Sequence, residues 1–256
     1  MSVLDRFKLE GRVAIVTGGA RGLGRIAAEA LASAGASVAV SARDLTAAET
    51  AASEIAEKTS SATVGVSFDV TRANEIESAF ERVVDRFGTI DILVNNAGIN
   101  IRGQIERLAE SDWDAVIDAN LKGPWLCCRA VASIMKAKKY GKVINISSML
   151  GEISLPERTP YASSKGGLTL LTKTLALEWA PYGINVNALC PGPFATDINL
   201  SLLRDPAVAA TFTAKIPLGR WGDPVELGPS IVFLASDAAS FITGSTLFID
   251  GGYTAQ

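Results

Sequence analysis

Seven short apolar runs rich in β-branched residues interrupt the chain and predict buried strands, because a strand covered on both faces is apolar throughout. Longer segments with helical spacing of their apolar positions lie between these runs. The predicted strands span residues 13–17, 37–41, 63–70, 91–94, 142–146, 184–189 and 246–250. The first predicted helix ends near residue 34, and the others span residues 45–58, 72–87, 111–139, 161–180, 200–212 and 223–235.

Residues at the helix ends refine two of these predictions. Ser111, with Asp114 three residues later, predicts the cap of the long helix, and Gly123-Pro124 inside it predicts a kink or a division. Asp223, followed by a proline and by Glu226, predicts the start of the last helix.

The alternation of strands and helices predicts an α/β fold. We expect a single doubly wound Rossmann-type domain over residues 1–256, with a seven-stranded, mostly parallel sheet, helices on both faces and strand order 3-2-1-4-5-6-7. No repeat or linker divides the chain. Residues 191–219 form the least regular stretch and are predicted to be a lid over the substrate.

Composition and charge exclude several classes of function. The 256 residues carry a net charge of −3 without a basic run, so no nucleic-acid partner is expected. No basic segment followed by an apolar one begins the chain, and no apolar stretch reaches bilayer length. We therefore expect a cytoplasmic protein without a membrane partner.

Histidine is absent, and the three cysteines, Cys127, Cys128 and Cys190, form no Cys-x-x-Cys pair. Nucleophilic catalysis through Ser-His-Asp or Cys-His, and every His-ligated metal site, are thereby excluded. A zinc site made by the cysteines is not expected either. Acid/base chemistry must then use Tyr, Lys, Asp or Glu.

A glycine-rich turn joins the first predicted strand to the helix that follows. It reads Gly18-Gly19-Ala20-Arg21-Gly22-Leu23-Gly24, with the spacing Gly-x-x-x-Gly-x-Gly. Glycine allows the backbone to approach a pyrophosphate, and the helix N-terminus offers it unpaired N–H groups. A plain tight turn is the alternative interpretation.

A tyrosine and a lysine four residues apart begin the helix after the fifth strand. Tyr161 and Lys165 would share one helix face, so that an ammonium lies near a phenol and favours its ionisation. Ser148, at the end of that strand, could hold a substrate oxygen. The set predicts a general acid/base site for a carbonyl or an alcohol.

The carboxyl ends of parallel strands share one edge of a sheet, and ligands bind there. Five polar or glycine-rich features follow predicted strands and should meet at that edge. They are the glycine-rich turn, Asp69, Asn96-Ala97-Gly98, Ser148 and Pro191-Gly192.

With these motifs in this order, the chain resembles the short-chain dehydrogenases/reductases from about Leu9 to Gly252. The resemblance rests on Thr17-Gly18-x3-Gly22-x-Gly24, Asn95-Asn96-Ala97-Gly98, Asn120, Ser148, Tyr161-x3-Lys165 and Pro191-Gly192. It implies reversible hydride transfer between a nicotinamide and the carbonyl carbon of a small ketone, which becomes the hydroxyl-bearing carbon of a secondary alcohol.

The resemblance also implies a role for each site residue. Tyr161 would give or take the proton, Lys165 would lower the pKa of Tyr161 and hold the nicotinamide ribose, Ser148 would bind the substrate oxygen and Asn120 would position a water. Ser147 is assigned a structural role. The cofactor is expected against Gly18, Arg21, Gly22, Leu23, Gly24, Arg43, Asp69, Val70, Asn96, Ala97, Gly98, Tyr161, Lys165, Pro191, Gly192, Phe194 and Thr196.

NADP(H) is the preferred cofactor prediction, with NAD(H) as the alternative. Family members that prefer NAD usually have Asp where this chain has Ala42, and an acidic group there repels a 2′-phosphate. Arg43 and Arg21 could bind that phosphate. Asp44 counts against this prediction, since it could pair with Arg43.

For the substrate, the chain looks most like the branch of gluconate 5-dehydrogenase-like enzymes and 3-oxoacyl-carrier-protein reductases. Tyr182 stands where the carrier-protein reductases typically have Arg, which favours a small polar hydroxy/keto acid or sugar acid. Arg102, Glu152 and Arg158 are expected to line the mouth of the site. A non-catalytic nucleotide-binding redox sensor is the remote alternative.

An apolar band on the helix that carries Tyr161 predicts self-association. The band is too wide for one face packed on a sheet, and the resemblance implies the same assembly. We expect a homotetramer, or at least a dimer. The band consists of Leu168, Leu170, Leu171, Leu175, Leu177 and Trp179.

Overall fold

The computed structural model describes residues 2–196 and 206–256. Its centre is a seven-stranded sheet in which all neighbouring strands are parallel, in the order β3-β2-β1-β4-β5-β6-β7. The predicted fold class and strand order are confirmed. The strands are β1 Val13–Val16, β2 Ser37–Ala42, β3 Thr63–Ser67, β4 Ile92–Asn95, β5 Gly141–Ile146, β6 Ile184–Pro191 and β7 Thr246–Ile249.

Helices connect the strands and cover both faces of the sheet. Alternate residues of β1 show this arrangement: Ala14 and Val16 join one buried cluster, while Val13 and Ile15 join the other. The α-helices are α1 Gly22–Ser33, α2 Leu45–Thr59, α3 Ala73–Phe87, α4 Glu110–Ile117, α5 Gly123–Lys138, α6 Thr159–Trp179, α7 Pro206–Thr213 and α8 Gly228–Ala235.

The long helix predicted over 111–139 is divided at Gly123-Pro124, as predicted: these residues open α5, and a π-helical turn that the sequence did not predict, Asp118–Lys122, separates α5 from α4. The predicted cap is wrong: α4 begins at Glu110, and the Ala109 N–H donates to Asp112 Oδ2 at 3.1 Å. Asp112, at the third helical position, therefore caps the start of α4 in place of Ser111.

Two further boundaries differ from expectation. β3 ends at Ser67, and Asp69 lies in the following turn, where its N–H donates to Glu75 Oε2 at 2.9 Å. The capping box at Asp223 and Glu226 is present, yet it opens a 3-10 turn, Pro224–Leu227, and the α-helix proper starts at Gly228.

The irregular stretch before α8 is described only in part. Residues 197–205 lie outside the described residues, so the helix predicted near 200–212 is seen only as α7. The lid predicted over 191–219 is described at 191–196 and 206–219 and stays a prediction. Within the described part of the chain, no helix is long and apolar enough to cross a bilayer.

Candidate active site

The carboxyl end of β5 and the first turns of α6 bring three predicted catalytic residues together. Ser148 is the second residue after β5, and its oxygen accepts a hydrogen bond from the Leu150 N–H at 3.1 Å, which leaves its own proton to donate. Tyr161 lies in the first turn of α6 and Lys165 one turn later. Lys165 Nζ is 5.7 Å from the centre of the Tyr161 ring.

Lys165 is a buried cation held by backbone. Its Nζ donates to the carbonyl oxygen of Ile146 at 2.7 Å, and the side chain is only 4 % exposed. Burial lowers the pKa of Lys165 to about 8, because the charged form loses its hydration. An ammonium at the end of β5 is therefore present at neutral pH and lost in mild alkali.

A second contact fixes the backbone of the same residue. Ser147 Oγ donates to the carbonyl oxygen of Lys165 at 3.0 Å, and Thr169 Oγ1 donates to that oxygen at 3.1 Å. A Cβ on Gly151 would lie 2.9 Å from the Lys165 carbonyl carbon, so the close approach requires glycine. Consecutive residues of the β5 end thus hold Lys165 at its side chain and its backbone.

The phenol of Tyr161 does not follow the prediction made from its spacing to Lys165. Burial raises the pKa of Tyr161, while the Ser148 hydroxyl and the charge of Arg102 lower it in part. The bond of Lys165 Nζ to Ile146 keeps the ammonium on the strand end. Desolvation therefore outweighs the cations, and the phenol keeps its proton at neutral pH.

Asn120 occupies the π-helical turn and is fully buried. Its Oδ1 accepts from the Ile99 N–H at 2.8 Å, and its Nδ2 donates to the Ile99 carbonyl at 2.9 Å and to Ser164 Oγ at 3.1 Å. Ser164 Oγ in turn donates to the Tyr161 carbonyl at 2.7 Å. The amide thereby joins the loop after β4 to the first turn of α6.

The glycine loop has the geometry of an anion cradle. Gly18 and Gly22 have positive φ angles of 62° and 56°, and a Cβ on Gly22 would meet only open space. Arg21 precedes α1 without capping it through its side chain, so the first N–H groups of α1 stay available to a ligand. Leu23 follows in that turn, and a Cβ on Gly24 would overlap Gly18 and Asn96.

Asn96 and Ala97 support this loop. Asn96 Nδ2 donates to the carbonyls of Thr17 and Gly18 at 2.9 and 3.1 Å. Thr17 Oγ1 accepts from the N–H groups of both Asn96 and Ala97 at 2.9 and 3.0 Å. Thr17 was quoted in the motif but not predicted as a site residue; a hydroxyl at the last strand position before the glycines was the available signal.

The ends of β2 and β3 form the corner expected to bind the adenosine. Arg43 and Arg21 are both exposed. Asp44 caps α2, since its Oδ1 accepts hydrogen bonds from the N–H groups of Thr46 and Ala47. Asp69 accepts from the Thr71 N–H and hydroxyl, both at 2.8 Å, and these bonds lower its pKa although burial opposes them.

The remaining predicted cofactor residues lie beyond β3, β4 and β6. Val70 packs against Gly123, and a Cβ on Gly98 would lie 2.9 Å from Asn120 Oδ1. Pro191 ends β6, the Gly192 N–H donates to the Ile249 carbonyl at 2.9 Å, and Phe194 is buried. The Thr196 N–H donates to the Phe194 carbonyl at 2.9 Å.

Two arginines lie on neighbouring loops at the mouth. The Gly103 N–H and Arg158 Nη1 both donate to the carbonyl of Glu157, at 3.3 and 3.1 Å, and Glu157 has a positive φ of 63°. Burial and then the charge of Arg102 lower the pKa of Arg158. Neither arginine forms an ion pair within the described ranges.

Two other expectations concern the same region. Glu152 ends the 3-10 turn after Ser148 and is exposed at the surface. No group of three or more metal-ligating side chains occurs among the residues that could be described. The polar groups that meet here are a phenol, an ammonium, hydroxyls and guanidinium groups.

Comparisons with known proteins agree on the family. A family model described as enoyl-(acyl carrier protein) reductase matches residues 18–254. The chain is 40 % identical to a 5-keto-D-gluconate 5-reductase of Escherichia coli K12 over 97 % of each chain. It is 42 % identical to a 3-oxoacyl-[acyl-carrier-protein] reductase of Synechocystis over 95 % of this chain and 97 % of that one.

A solved structure is similar over the whole chain. It is a gluconate 5-dehydrogenase from Burkholderia cenocepacia in complex with NADP and tartrate, with 41 % identity, full coverage of both chains and a TM-score of 0.96. The chain therefore belongs to the short-chain dehydrogenase/reductase family of NAD(P)-dependent oxidoreductases that act on CH–OH groups.

Proposed function

We propose that this enzyme interconverts the keto and hydroxyl forms of a small hydroxy acid of the sugar-acid type, with NADP(H) as its preferred cofactor. The observation that carries the proposal is the pair Arg102 and Arg158: the residue after Arg102, Gly103, and Arg158 itself both bond to the Glu157 carbonyl, and Arg158 directly precedes the helix that carries Tyr161. The charge of Arg102 acts both on Tyr161 and on Arg158, so Arg102 lies within electrostatic reach of the phenol and of the second guanidinium. A carboxylate is the anion that two guanidinium groups bind well.

The catalytic residues divide the chemistry among themselves. When bound, the nicotinamide supplies or accepts the hydride. Tyr161, whose buried phenol is protonated at neutral pH, donates its proton to the carbonyl oxygen during reduction. Ser148 donates a hydrogen bond to the same oxygen, and the Lys165 ammonium stabilises the charge left on the phenol.

Asn120 contributes through its backbone, since its side-chain amide is already bonded to Ile99 and Ser164. The residue four positions later is Pro124, which has no N–H to offer the Asn120 carbonyl. The Gly123 N–H donates to Asp118, as expected in a π turn. We propose that the Asn120 carbonyl, which Pro124 cannot bond, holds the water that returns a proton to Lys165.

The cofactor preference rests on the corner at the end of β2. Ala42 leaves the end of β2 without an acidic side chain, the Asp44 carboxylate caps α2, and the Asp69 carboxylate beyond β3 accepts two bonds from Thr71 while it interacts with the charge of Arg43. Arg43 and Arg21 are exposed and available to a 2′-phosphate. The glycine loop fits the pyrophosphate, since Gly18 and Gly22 have positive φ angles, Gly22 borders open space, and Gly24 allows the helix start to pack closely on Gly18 and Asn96.

The test is a comparison of an acid with a neutral ketone. Wild-type enzyme should reduce 5-keto-D-gluconate with a kcat/KM at least about tenfold higher than that for a neutral keto sugar such as fructose. Arg102→Gln and Arg158→Gln should each lower kcat/KM for the acid at least about tenfold and leave that for the neutral ketone unchanged. Arg107→Gln, an arginine in the same segment, serves as the control.

Equal losses on both substrates, or equal activity of wild type on both, would contradict this assignment. The competing function is 3-oxoacyl-carrier-protein reduction, which the Synechocystis relative favours. Tyr182, and not an arginine, is exposed at the helix end where such enzymes typically meet the carrier protein. Higher activity with an acetoacetyl thioester than with keto acids would support that function, and nucleotide binding without any turnover would support a redox sensor.

We also propose a cytoplasmic homotetramer built through α6. Leu170 and Leu177 lie two turns apart on this helix, and 64 % and 79 % of their surfaces are exposed. Large apolar side chains at this spacing form one patch that a second copy of the chain can cover. The interface would leave the mouth of each site open to a small substrate.

A further inference from the structure

The indole N–H of Trp221 is a buried hydrogen-bond donor without an acceptor among the described residues. Its Nε1 is shielded from solvent, and none of the residues in the described ranges accepts a hydrogen bond from it. Indole N–H can only donate. An unpaired buried donor costs roughly 1–3 kcal/mol, so an acceptor that the described residues do not supply is expected here.

The position of Trp221 links it to the reacting groups. Its ring packs against the small apolar cluster of Met149, Leu150, Ile216 and Tyr253, and Tyr161 packs against the same cluster. The next residue bonds to the segment expected to contact the nicotinamide: the Gly222 N–H donates to Pro193 at 2.9 Å, and the Gly222 carbonyl accepts from Ala195 at 3.0 Å.

Neighbouring contacts fix the ring. Phe212 of α7 lies 5.6 Å away, centre to centre. On the other flank, Arg220 is held by two bonds of 2.7 Å to Glu226, which engages its guanidinium. Because Arg220 and Glu226 pair with each other, the indole N–H is the unpaired donor of this turn, and the contact with Phe212 restricts the motion of its ring.

We propose that Trp221 Nε1 donates a hydrogen bond to a hydroxyl oxygen on the carbon chain of the substrate and thereby selects polyhydroxy acids over plain keto acids. This rests on the proposed function, in which Arg102 and Arg158 take the carboxylate and Tyr161 the reacting oxygen. With those groups bound, the substrate atom that remains for the Trp221 donor is a hydroxyl oxygen on its carbon chain. A site built to bond a hydroxyl discriminates strongly against analogues without it.

The experiment compares two keto acids that differ in their hydroxyl groups, 5-keto-D-gluconate and 4-oxopentanoate. Trp221→Phe keeps an aromatic ring and removes only the donor. It should lower the ratio of kcat/KM for the two acids at least about tenfold, through a higher KM for the polyhydroxy acid. The KM for NADPH, the Tm and the rate with 4-oxopentanoate should stay near wild type.

Trp113→Phe, on the exposed side of α4, is the matched control and should change none of these quantities. An unchanged ratio in Trp221→Phe, or equal losses on both acids, would overturn the inference while the effects of the Arg102 and Arg158 variants still stand. A wild-type enzyme that reduces neither acid would overturn both proposals. A fall in Tm that accompanies equal losses identifies Trp221 as a packing residue only.

Discussion

At the scale of single residues, the site depends on two buried titratable groups whose pKa values shift in opposite directions. Burial raises the pKa of Tyr161 and lowers that of Lys165 to about 8. Both shifts favour the uncharged form, as desolvation does. The phenol then keeps its proton at neutral pH, while the nearby ammonium titrates within the range of an ordinary assay.

Tyr161→Phe should abolish turnover and leave nucleotide binding intact. The change removes the proton donor but keeps the ring that packs beside Met149 and Leu150. We expect kcat to fall at least about 100-fold, as for other general acids, and the dissociation constant of NADPH, from fluorescence titration, to stay within about twofold. Tyr182→Phe, an exposed tyrosine, is the control. Activity within tenfold of wild type would rule out this role.

Lys165 also makes stability depend on pH. Its folded pKa lies below its unfolded one, so the unfolded state binds more protons between about pH 8 and pH 10.5 and stability rises with pH in that window. Relative to Lys165→Met, wild type should gain up to roughly 1.4 kcal/mol of unfolding free energy per pH unit there. Denaturant titrations of both proteins at pH 7 and pH 9.5 measure this; a constant difference would show that Lys165 is not buried as a cation.

The cofactor preference is also decided by single residues. Wild type should favour NADP(H) over NAD(H) by at least about tenfold in kcat/KM, or about 1.4 kcal/mol. The double variant Ala42→Asp, Arg43→Ala should reverse this order, because a carboxylate there accepts bonds from a free 2′-hydroxyl and repels a phosphate. A wild-type preference for NAD(H) would mean that Arg43 does not contact the 2′-phosphate.

At the scale of elements, the glycine loop and α1 depend on one close contact. A methyl group on Gly24 would overlap the Gly18 carbonyl and the Asn96 amide that supports it. Gly24→Ala should therefore raise the KM for NADPH at least about tenfold and cost about 1–3 kcal/mol of stability. Gly228→Ala, where an added methyl group would meet only Ala30 Cβ at 3.1 Å, is the matched helical control. An unaltered KM would show that the loop tolerates displacement.

Sequence patterns predicted the secondary-structure elements better than they predicted the contacts between single residues. All seven strands followed from short apolar runs, because parallel strands buried on both faces leave a strong signal, and their order followed from the rules for doubly wound sheets. The π turn at Asp118–Lys122 did not, since it depends on how Asn120 bonds to Ile99 across the molecule. The hydroxyl contacts of Thr17, Ser164 and Thr169 were missed because they too depend on tertiary structure. Serine and threonine are common in helices and at strand ends, and only their tertiary contacts distinguish these three residues from the others.

At the scale of the whole molecule, the exposed leucines of α6 predict the assembly. Light scattering at micromolar concentration should give the mass of a tetramer, or at least of a dimer. Leu170→Glu combined with Leu177→Glu should shift it to a smaller species, because buried carboxylates without partners oppose association. Leu4→Glu, at an equally exposed site near the N-terminus, is the control. A monomer mass for wild type would refute the proposed interface.

The two hydrogen bonds that fix the side chain and the backbone of Lys165 have a consequence for how the substrate specificity of this protein could evolve. Ile146 and Ser147, which grip its ammonium and its carbonyl, belong to the strand end, whereas Arg102, Arg158 and Trp221 stand on loops. Mutations that change those loop side chains therefore leave the two bonds that hold Lys165 in place. A new specificity could arise by drift in the loops, at an almost constant turnover chemistry.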